Sequence, residues 1–180
     1  MKGKVLVALR VLTLSIVFCP AIFSLSWHVF YGREIEYAGK RIPVPRRWYA
    51  HVERDSVQLS KLPLTVFFLD EPRPVWSYIK PIPGHVPHPP SEEELYKSFE
   101  ATYWTIRGRG SDEVSGPIRI STSEGNVICM KSASHEDKDR YKATASCLLY
   151  RGTWEAEFVG DEREFDTFIQ MIRRITTRNS

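Results

Sequence analysis

The run VLTLSIVFCPAIFSLSWHVFY, from Val11 to Tyr31, governs how the rest of the chain is interpreted. Its 21 residues contain no Asp, Glu, Lys or Arg. As a single helix, at about 1.5 Å per residue, the run would be roughly 31 Å long, which matches a bilayer core of about 30 Å. The sequence therefore predicts a transmembrane helix, and we interpret residues 1–32 as a signal-anchor segment.

Two fates of this segment fit the pattern, because a basic leader precedes the apolar run in both signal peptides and signal-anchors. A cleaved signal has an apolar region of about 7–15 residues and small residues at the cut, and Ser24–Ser26 would provide such a site. The charge-free run continues past it through Trp27 and Tyr31, which are residue types enriched at membrane interfaces. We expect an uncleaved single-pass anchor with Trp27 and Tyr31 at the interface; secretion after cleavage is the alternative.

Charge limits the partners of the remaining chain, residues 33–180. Three of the 25 basic residues lie in the leader, so the remainder matches the 22 acidic residues and carries no net charge. A neutral domain is poorly suited to nucleic acid, which requires a basic surface. The segment Arg33 to Arg54 is locally basic, and beside a membrane it would attract anionic lipid. A mixed, solvated surface is the simpler interpretation of that segment.

The pattern beyond residue 33 predicts one α+β domain, with a mainly antiparallel sheet and two packed helices. Alternating residues predict strands at 34–37, 41–44, 118–121, 126–131, 141–150 and 153–159, with shorter candidates at 48–53 and 57–59. The apolar run Leu64 to Leu69 predicts a buried central strand. Helices are expected at about 91–107 and 161–176, opened by Ser91 with Glu94 and by Asp161 with Glu164. The second helix has the clearest apolar stripe: Phe165, Phe168, Ile169, Ile172 and Ile175.

Seven prolines lie between Pro72 and Pro90. This density is typical of an extended loop with polyproline character, because proline cannot donate to a helix or a sheet ladder. Trp76 and Tyr78 lie within the segment and are of a type enriched in binding hot spots. The sequence therefore predicts a partner-binding loop at 72–90, with Trp76 and Tyr78 as contacts. Packing of both rings against the sheet is the competing interpretation.

Cys129 and Cys147 are equidistant from residue 138, which lies in the polar segment between two predicted strands. A turn there would place the cysteines opposite each other, within the spacing that a disulfide tolerates. A disulfide favours an extracytoplasmic domain, whereas two reduced core cysteines would fit a cytoplasmic one. The distribution of basic residues does not decide the topology, because Arg33, Lys40, Arg41 and Arg46 follow the apolar run closely.

Two short patterns resemble bacterial exported or membrane-anchored domains of the PsbP/DcrB-like kind. The first is a Gly…Ile-x-Val-Pro-x-x-Trp opening, and the second is a Trp-x-Ala-x-Phe-x-Gly strand before a terminal amphipathic helix. The residues are Gly39, Ile42, Val44, Pro45 and Trp48, then Trp154, Ala156, Phe158 and Gly160. The resemblance implies a binding or accessory role more than catalysis. The proline-rich segment departs from that pattern.

No motif identifies a catalytic, metal or cofactor site. The chain lacks a Walker loop, a dinucleotide fingerprint and a nucleophile elbow. His85 and His88 lie among prolines, and His135 to Asp137 is interpreted as a hairpin tip. We therefore expect a membrane-anchored, non-catalytic binding or accessory domain without a cofactor. The alternatives are an envelope hydrolase assembled only in three dimensions, and a cytoplasm-facing membrane protein that contacts anionic lipid.

Overall fold

The computed structural model describes residues 2–61, 75–82, 90–107, 113–137, 140–149 and 153–177. Within these ranges the chain forms four α-helices and ten strands. The helices are α1 (Lys2–Val17), α2 (Cys19–Tyr31), α3 (Glu92–Arg107) and α4 (Phe165–Arg173), and a 3-10 turn at Glu162–Glu164 precedes α4. The strands are β1 (Glu34–Tyr37), β2 (Lys40–Pro43), β3 (Trp48–Val52), β4 (Val57–Lys61), β5 (Val75–Pro81), β6 (Glu113–Thr122), β7 (Gly125–Asp137), β8 (Arg140–Leu149), β9 (Trp154–Asp161) and β10 (Thr176–Thr177).

The described strands form two antiparallel sheets. The larger has seven strands in the order β3-β4-β5-β9-β8-β7-β6, and the smaller has the order β1-β2-β10. Strands β6 to β9 form a meander that returns to pair β9 with β5. The predicted α+β class, with a mainly antiparallel sheet and packed helices, is confirmed.

Strict alternation in β9 explains the position of the core. Trp154, Ala156 and Phe158 are buried, whereas the residues between them are partly exposed, as a half-covered strand requires. Helix α4 covers this face, with the Phe158 and Phe168 rings 5.2 Å apart between centroids. The main hydrophobic core thus lies between the large sheet and α4.

A second, smaller hydrophobic cluster lies under α3, where Leu95 and Phe99 pack with Ile128. The predicted capping box opens this helix: Ser91 N donates to Glu94 Oε2 at 2.7 Å, and Glu94 N donates to Ser91 Oγ at 3.2 Å. The boundaries expected from sequence, about 91–107, are confirmed. Helices therefore contact the large sheet through two separate clusters.

The α4 region is confirmed with two differences. The helix proper ends at Arg173, and Thr176–Thr177 pairs with β2 instead of continuing it. Asp161 accepts from Arg163 N at 2.8 Å, but the expected partner in the cap, Glu164, forms an ion pair with Lys61. Glu164 is directed to Lys61 of β4, and Asp161 caps the turn through its own side chain.

The prediction of a loop throughout 72–90 is wrong for residues 75–81, which form β5 in the middle of the large sheet. The physical reason is that residues 75–80 contain no proline, so every backbone N–H there can join the ladders with β4 and β9. Pro81 ends the strand. The expected strand Leu64 to Leu69 lies outside the described residues.

The apolar run of the first 31 residues forms two helices instead of one. Among the described residues, no single helix is long and apolar enough to cross a bilayer, but Leu6–Val17 and Cys19–Tyr31 meet those criteria together as a pair bent by 73°. The break lies at Phe18, and Pro20 occupies the first turn of α2. Proline fits the first turn of a helix but removes a hydrogen bond inside one, which explains a new start at this point.

Candidate functional site

Helix α2 connects the apolar N-terminal region to the domain. Trp27, only 8% exposed, belongs to the main hydrophobic cluster, and the Phe23 ring lies edge-on to Tyr49 of β3 at 5.4 Å. The remaining large side chains of the helix, including Val29 and Phe30, are exposed. One side of α2 therefore packs on protein while its other large apolar residues do not.

The connection between β2 and β3 faces this helix. His28 approaches two carbonyl oxygens, with Nδ1 at 3.1 Å from Gly32 O and Nε2 at 3.1 Å from Pro45 O. A neutral imidazole can donate to only one of them, whereas the imidazolium can donate to both. His28 thereby links the end of α2 to the start of the turn at Pro45.

That turn places two arginines side by side. Trp48 N donates to Pro45 O at 3.1 Å, so Arg46 and Arg47 are its two central residues. Arg47 has φ of +68°, a left-handed conformation that is usual for glycine at this turn position and uncommon for a long side chain. The turn therefore retains an arginine where glycine would be less strained.

A pocket of about 410 Å³ lies between α2 and this turn. Its volume falls within the range of small-molecule sites. Residues from one side of α2 form one wall. The other wall is formed by Arg33 and by residues of the connection between β2 and β3. The lining residues are Pro20, Ala21, Ser24, Leu25, His28, Arg33, Val44, Arg46 and Arg47. We call this cavity the α2 pocket.

The α2 pocket is basic at its rim. Arg33, Arg46 and Arg47 are all exposed. Within the part of the chain that the structure describes, none of the three forms an ion pair with a carboxylate, whereas Lys40 and Lys61 each do. Three uncompensated guanidinium groups around one cavity favour an anionic ligand, since arginine matches the geometry of phosphate and carboxylate.

One of the residues that line the α2 pocket, Ser24, has an unsatisfied hydroxyl. Ser24 is 3% exposed, and its Oγ has no hydrogen-bond partner among the described residues. Leaving such a group buried without a partner costs about 1–3 kcal/mol. A ligand atom that accepts a hydrogen bond would offset that cost. The arrangement is therefore suited to binding an anion that also contacts the apolar wall.

Two groups of polar residues in the sequence have side chains that the structure does not describe. His85 and His88 lie outside the described residues, and so do the side chains of His135 to Asp137. In the described ranges, no group of three His, Cys, Asp or Glu residues is positioned to hold a metal ion. The expectation of no catalytic residue, metal or cofactor stays a prediction.

The predicted disulfide is confirmed. Cys129 of β7 and Cys147 of β8 are direct partners in the antiparallel register and are bonded, with their Cα atoms 4.0 Å apart. The ladder continues to Asp137 and Arg140, and the two residues between them, where the turn was expected, lie outside the described residues. Both cysteines are fully buried in the main cluster. The disulfide suggests an oxidising, extracytoplasmic environment.

The proposed contact residues Trp76 and Tyr78 lie on β5, and their role in binding a partner stays a prediction. The backbone of Trp76 pairs with Val159, and that of Tyr78 pairs with Glu157. Tyr78 is partly buried, between the fully buried Ser77 and Ile79. Tyr78 therefore lies on the sheet surface opposite the main core, within a strand and not at the tip of a loop.

The predicted interface residues Trp27 and Tyr31 differ in their surroundings. Their rings stack at 5.4 Å between centroids. Trp27 is buried in the main cluster, whereas Tyr31 is exposed. Trp27 thus anchors α2 on the domain, and contact of this pair with a membrane interface stays a prediction.

The sequence does not predict the α2 pocket, although it contains two of its features. The basic segment from Arg33 includes all three arginines, and Ser24 belongs to the alternative cleavage site. Comparison with protein-family models and with curated proteins found no match to this chain. The PsbP/DcrB-like resemblance accordingly stays a prediction, as do the partner and the function.

Proposed function

We propose that this chain is a membrane-anchored, non-catalytic binding or accessory protein with an extracytoplasmic domain. The observation that carries the proposal is the exposed apolar surface of α1 and α2. The exposed large side chains of α1 are Leu6, Val7, Leu9, Val11, Leu12, Leu14 and Ile16; those of α2 include Ile22, Leu25, Val29 and Phe30. Soluble monomers rarely expose contiguous apolar patches of this extent, and a bilayer is the environment that would cover them.

The contact between α2 and the sheet supports an accessory role close to the bilayer. Trp27 is buried with the core of the domain, while Phe30, three residues later, is exposed. The same short helix would therefore contact lipid and fix the domain, without a linker between them. This arrangement favours a domain that works at the membrane surface, and the disulfide favours the extracytoplasmic side.

Membrane fractionation of the full chain tests this proposal. We expect the protein to stay in the pellet after alkaline carbonate washing and to dissolve in detergent. Leu12→Asp combined with Ile16→Asp should release it, because each aspartate near the middle of an inserted helix costs about 2.5–3.5 kcal/mol. The matched control is Val52→Asp, an exposed apolar residue of β3 that should not release the protein.

Two results would contradict the anchor. The wild-type chain could be found in the soluble fraction, with N-terminal sequencing beginning at Trp27; this outcome would establish cleavage. Alternatively, free alkylation of both Cys129 and Cys147 in material taken directly from cells would contradict the extracytoplasmic location. Mass spectrometry after non-reducing digestion distinguishes bonded from alkylated cysteines.

A further inference from the structure

We infer that the α2 pocket binds the phosphate group of a phospholipid headgroup. The inference rests on the proposed membrane location and adds a ligand class to it. The phosphate would lie among the guanidinium groups of Arg33, Arg46 and Arg47, and the lipid's apolar part would follow the wall formed by α2.

The charge of the site selects an anion. Arginine binds phosphate through paired N–H groups, and it is less strongly hydrated than lysine. Arg33, Arg46 and Arg47 line the same cavity, and no described carboxylate forms an ion pair with any of them. By contrast, other basic residues of the domain have acidic partners, such as Lys131 with Glu162. The pocket therefore concentrates cations that have no ion-pair partner among the described carboxylates.

The buried Ser24 hydroxyl is an independent indication of a ligand. Ser24 is one of the residues that line the α2 pocket, and its buried Oγ has no hydrogen-bond partner among the described residues. Phosphate oxygens are strong acceptors, so a bound headgroup would satisfy this donor as well as the arginines. An anion held only by exposed arginines would leave the hydroxyl unused.

The position of the pocket favours a lipid as the source of the phosphate. Leu25 lines the cavity and is also one of the exposed apolar residues of α2. The pocket therefore borders the surface that we propose to face the bilayer. Pro20, Ala21 and Val44 give the cavity an apolar wall that a free inorganic phosphate could not use. A phosphate linked to an acyl-bearing glycerol would contact both the arginines and the apolar wall.

The test is calorimetric titration of the full chain in a neutral maltoside detergent. The probes are dihexanoyl phosphatidylglycerol, dihexanoyl glycerol without the phosphate, and inorganic phosphate. We expect saturable binding of the phospholipid, binding of inorganic phosphate at least ten-fold weaker, and none of the phosphate-free lipid. Combined Arg33→Gln, Arg46→Gln and Arg47→Gln should weaken phospholipid binding at least ten-fold, and Ser24→Ala about three-fold.

A matched control separates a built site from general charge. The triple variant with Lys97→Gln, Arg173→Gln and Arg174→Gln removes the same charge from exposed positions outside the pocket and should bind within two-fold of the wild type. Equal losses in the two triple variants, or no saturable binding by the wild type, would overturn the inference. Circular dichroism melts of each variant establish that it is folded before it is titrated.

The two proposals fail separately. Protein that pellets with membranes but binds none of the probes would leave the anchor in place and refute the phosphate site. Protein that is soluble in cells but binds the phospholipid through these arginines would refute the anchor and retain the site. If inorganic phosphate binds as tightly as the phospholipid, the lipid is refuted as the source and the inference fails in that form.

Discussion

Helices α2 and α4 both contribute to the same hydrophobic cluster. Their other sides differ, because that of α4 is polar whereas α2 has exposed apolar side chains. In α4, Phe168 is 0% exposed, and polar residues occupy the other side of the helix. In α2, Trp27 is buried, but Phe30 is 82% exposed and the helix contains no charged Asp, Glu, Lys or Arg. An amphipathic helix needs one apolar neighbour, whereas a helix that is apolar all round needs two.

This difference separates the apolar residues that pack within the domain from those that do not. Packing on the sheet accounts for the buried residues of α4. It accounts for Trp27 of α2 but not for Val29 or Phe30, which are exposed. The proposed bilayer would be the second apolar neighbour of α2.

Truncating one phenylalanine in each helix gives the largest expected contrast. Phe168→Ala should lower the free energy of unfolding by about 3–5 kcal/mol, because it opens a cavity beneath the sheet. Phe30→Ala should change it by no more than about 0.5 kcal/mol in detergent, since that ring is exposed. Denaturant titration of the disulfide-bonded protein in one detergent measures both.

Two other results of this experiment would change the interpretation of α2 or α4. If Phe30→Ala destabilises the domain as strongly as Phe168→Ala, then α2 is an ordinary core helix and the bilayer is not needed to explain it. If neither variant unfolds more readily, the packing of α4 on Phe158 is not the main source of stability.

The disulfide tests whether the sheet and the apolar helices are stabilised independently. Changing Cys129 and Cys147 together to alanine should reduce the free energy of unfolding by about 3 kcal/mol, the loop-entropy value for closing about 19 residues. It should leave the amount of protein in the membrane pellet unchanged, because both cysteines lie on strands of the large sheet and not in the apolar helices. Denaturant titration and carbonate extraction of the same variant give the two readouts. Release from the membrane after this change would show that the two regions depend on each other.

Much of the domain could be predicted because short-range patterns determine it. The alternation in β9 and the stripe in α4 each identify the buried side directly. The Cys129–Cys147 pair follows from a hairpin whose two arms are nearly equal in length. In these segments, each residue's neighbours along the chain are enough to fix its environment.

The sequence predictions differ from the structure where a residue type was counted over a long segment without regard to its positions. Seven prolines between 72 and 90 concealed the proline-free interval 75–80, which forms most of β5. Similarly, 21 uncharged residues suggested one straight helix, although Pro20 permits a new helix to begin at Cys19. The positions of prolines were more informative than their number.

The α2 pocket could not be predicted from local patterns at all. It requires Ser24 of one helix to lie beside Arg46 and Arg47 of a turn, and this depends on α2 folding back against β3. Nothing in the spacing of these residues specifies that contact. The sequence identified a basic segment but not the cavity that it surrounds.

The smallest expected effect concerns the link between the two sheets. Glu124, in the β6–β7 turn, accepts a hydrogen bond from Lys40 at 2.5 Å and another from Thr177 N. Burial opposes ionisation of this carboxyl, but the hydrogen bonds from Lys40 and Thr177 outweigh it and lower its pKa. A carboxyl whose pKa is lower in the folded state stabilises the fold above its unfolded pKa, which is about 4.3 for Glu.

This contribution should therefore be constant from pH 7 to about pH 5 and should disappear as the pH falls through the folded pKa. Glu124→Gln should remove about 1 kcal/mol or less at pH 7, because the pair is only partly buried, and progressively less as the pH falls below the unfolded pKa of about 4.3. Asp161, whose pKa is lowered first by the Arg163 side chain, still gives the variant an acid-sensitive fold, so the two pH profiles should converge and not become flat. Denaturant titrations between pH 3 and 7 measure the difference in the free energy of unfolding between wild type and variant.

A difference that stays constant over this pH range would mean that Glu124 acts through packing and not through its charge. A difference that decreases as the pH falls would instead assign the link between β2, β10 and the large sheet to an ionic contact, unlike the apolar contacts that hold α2 and α4.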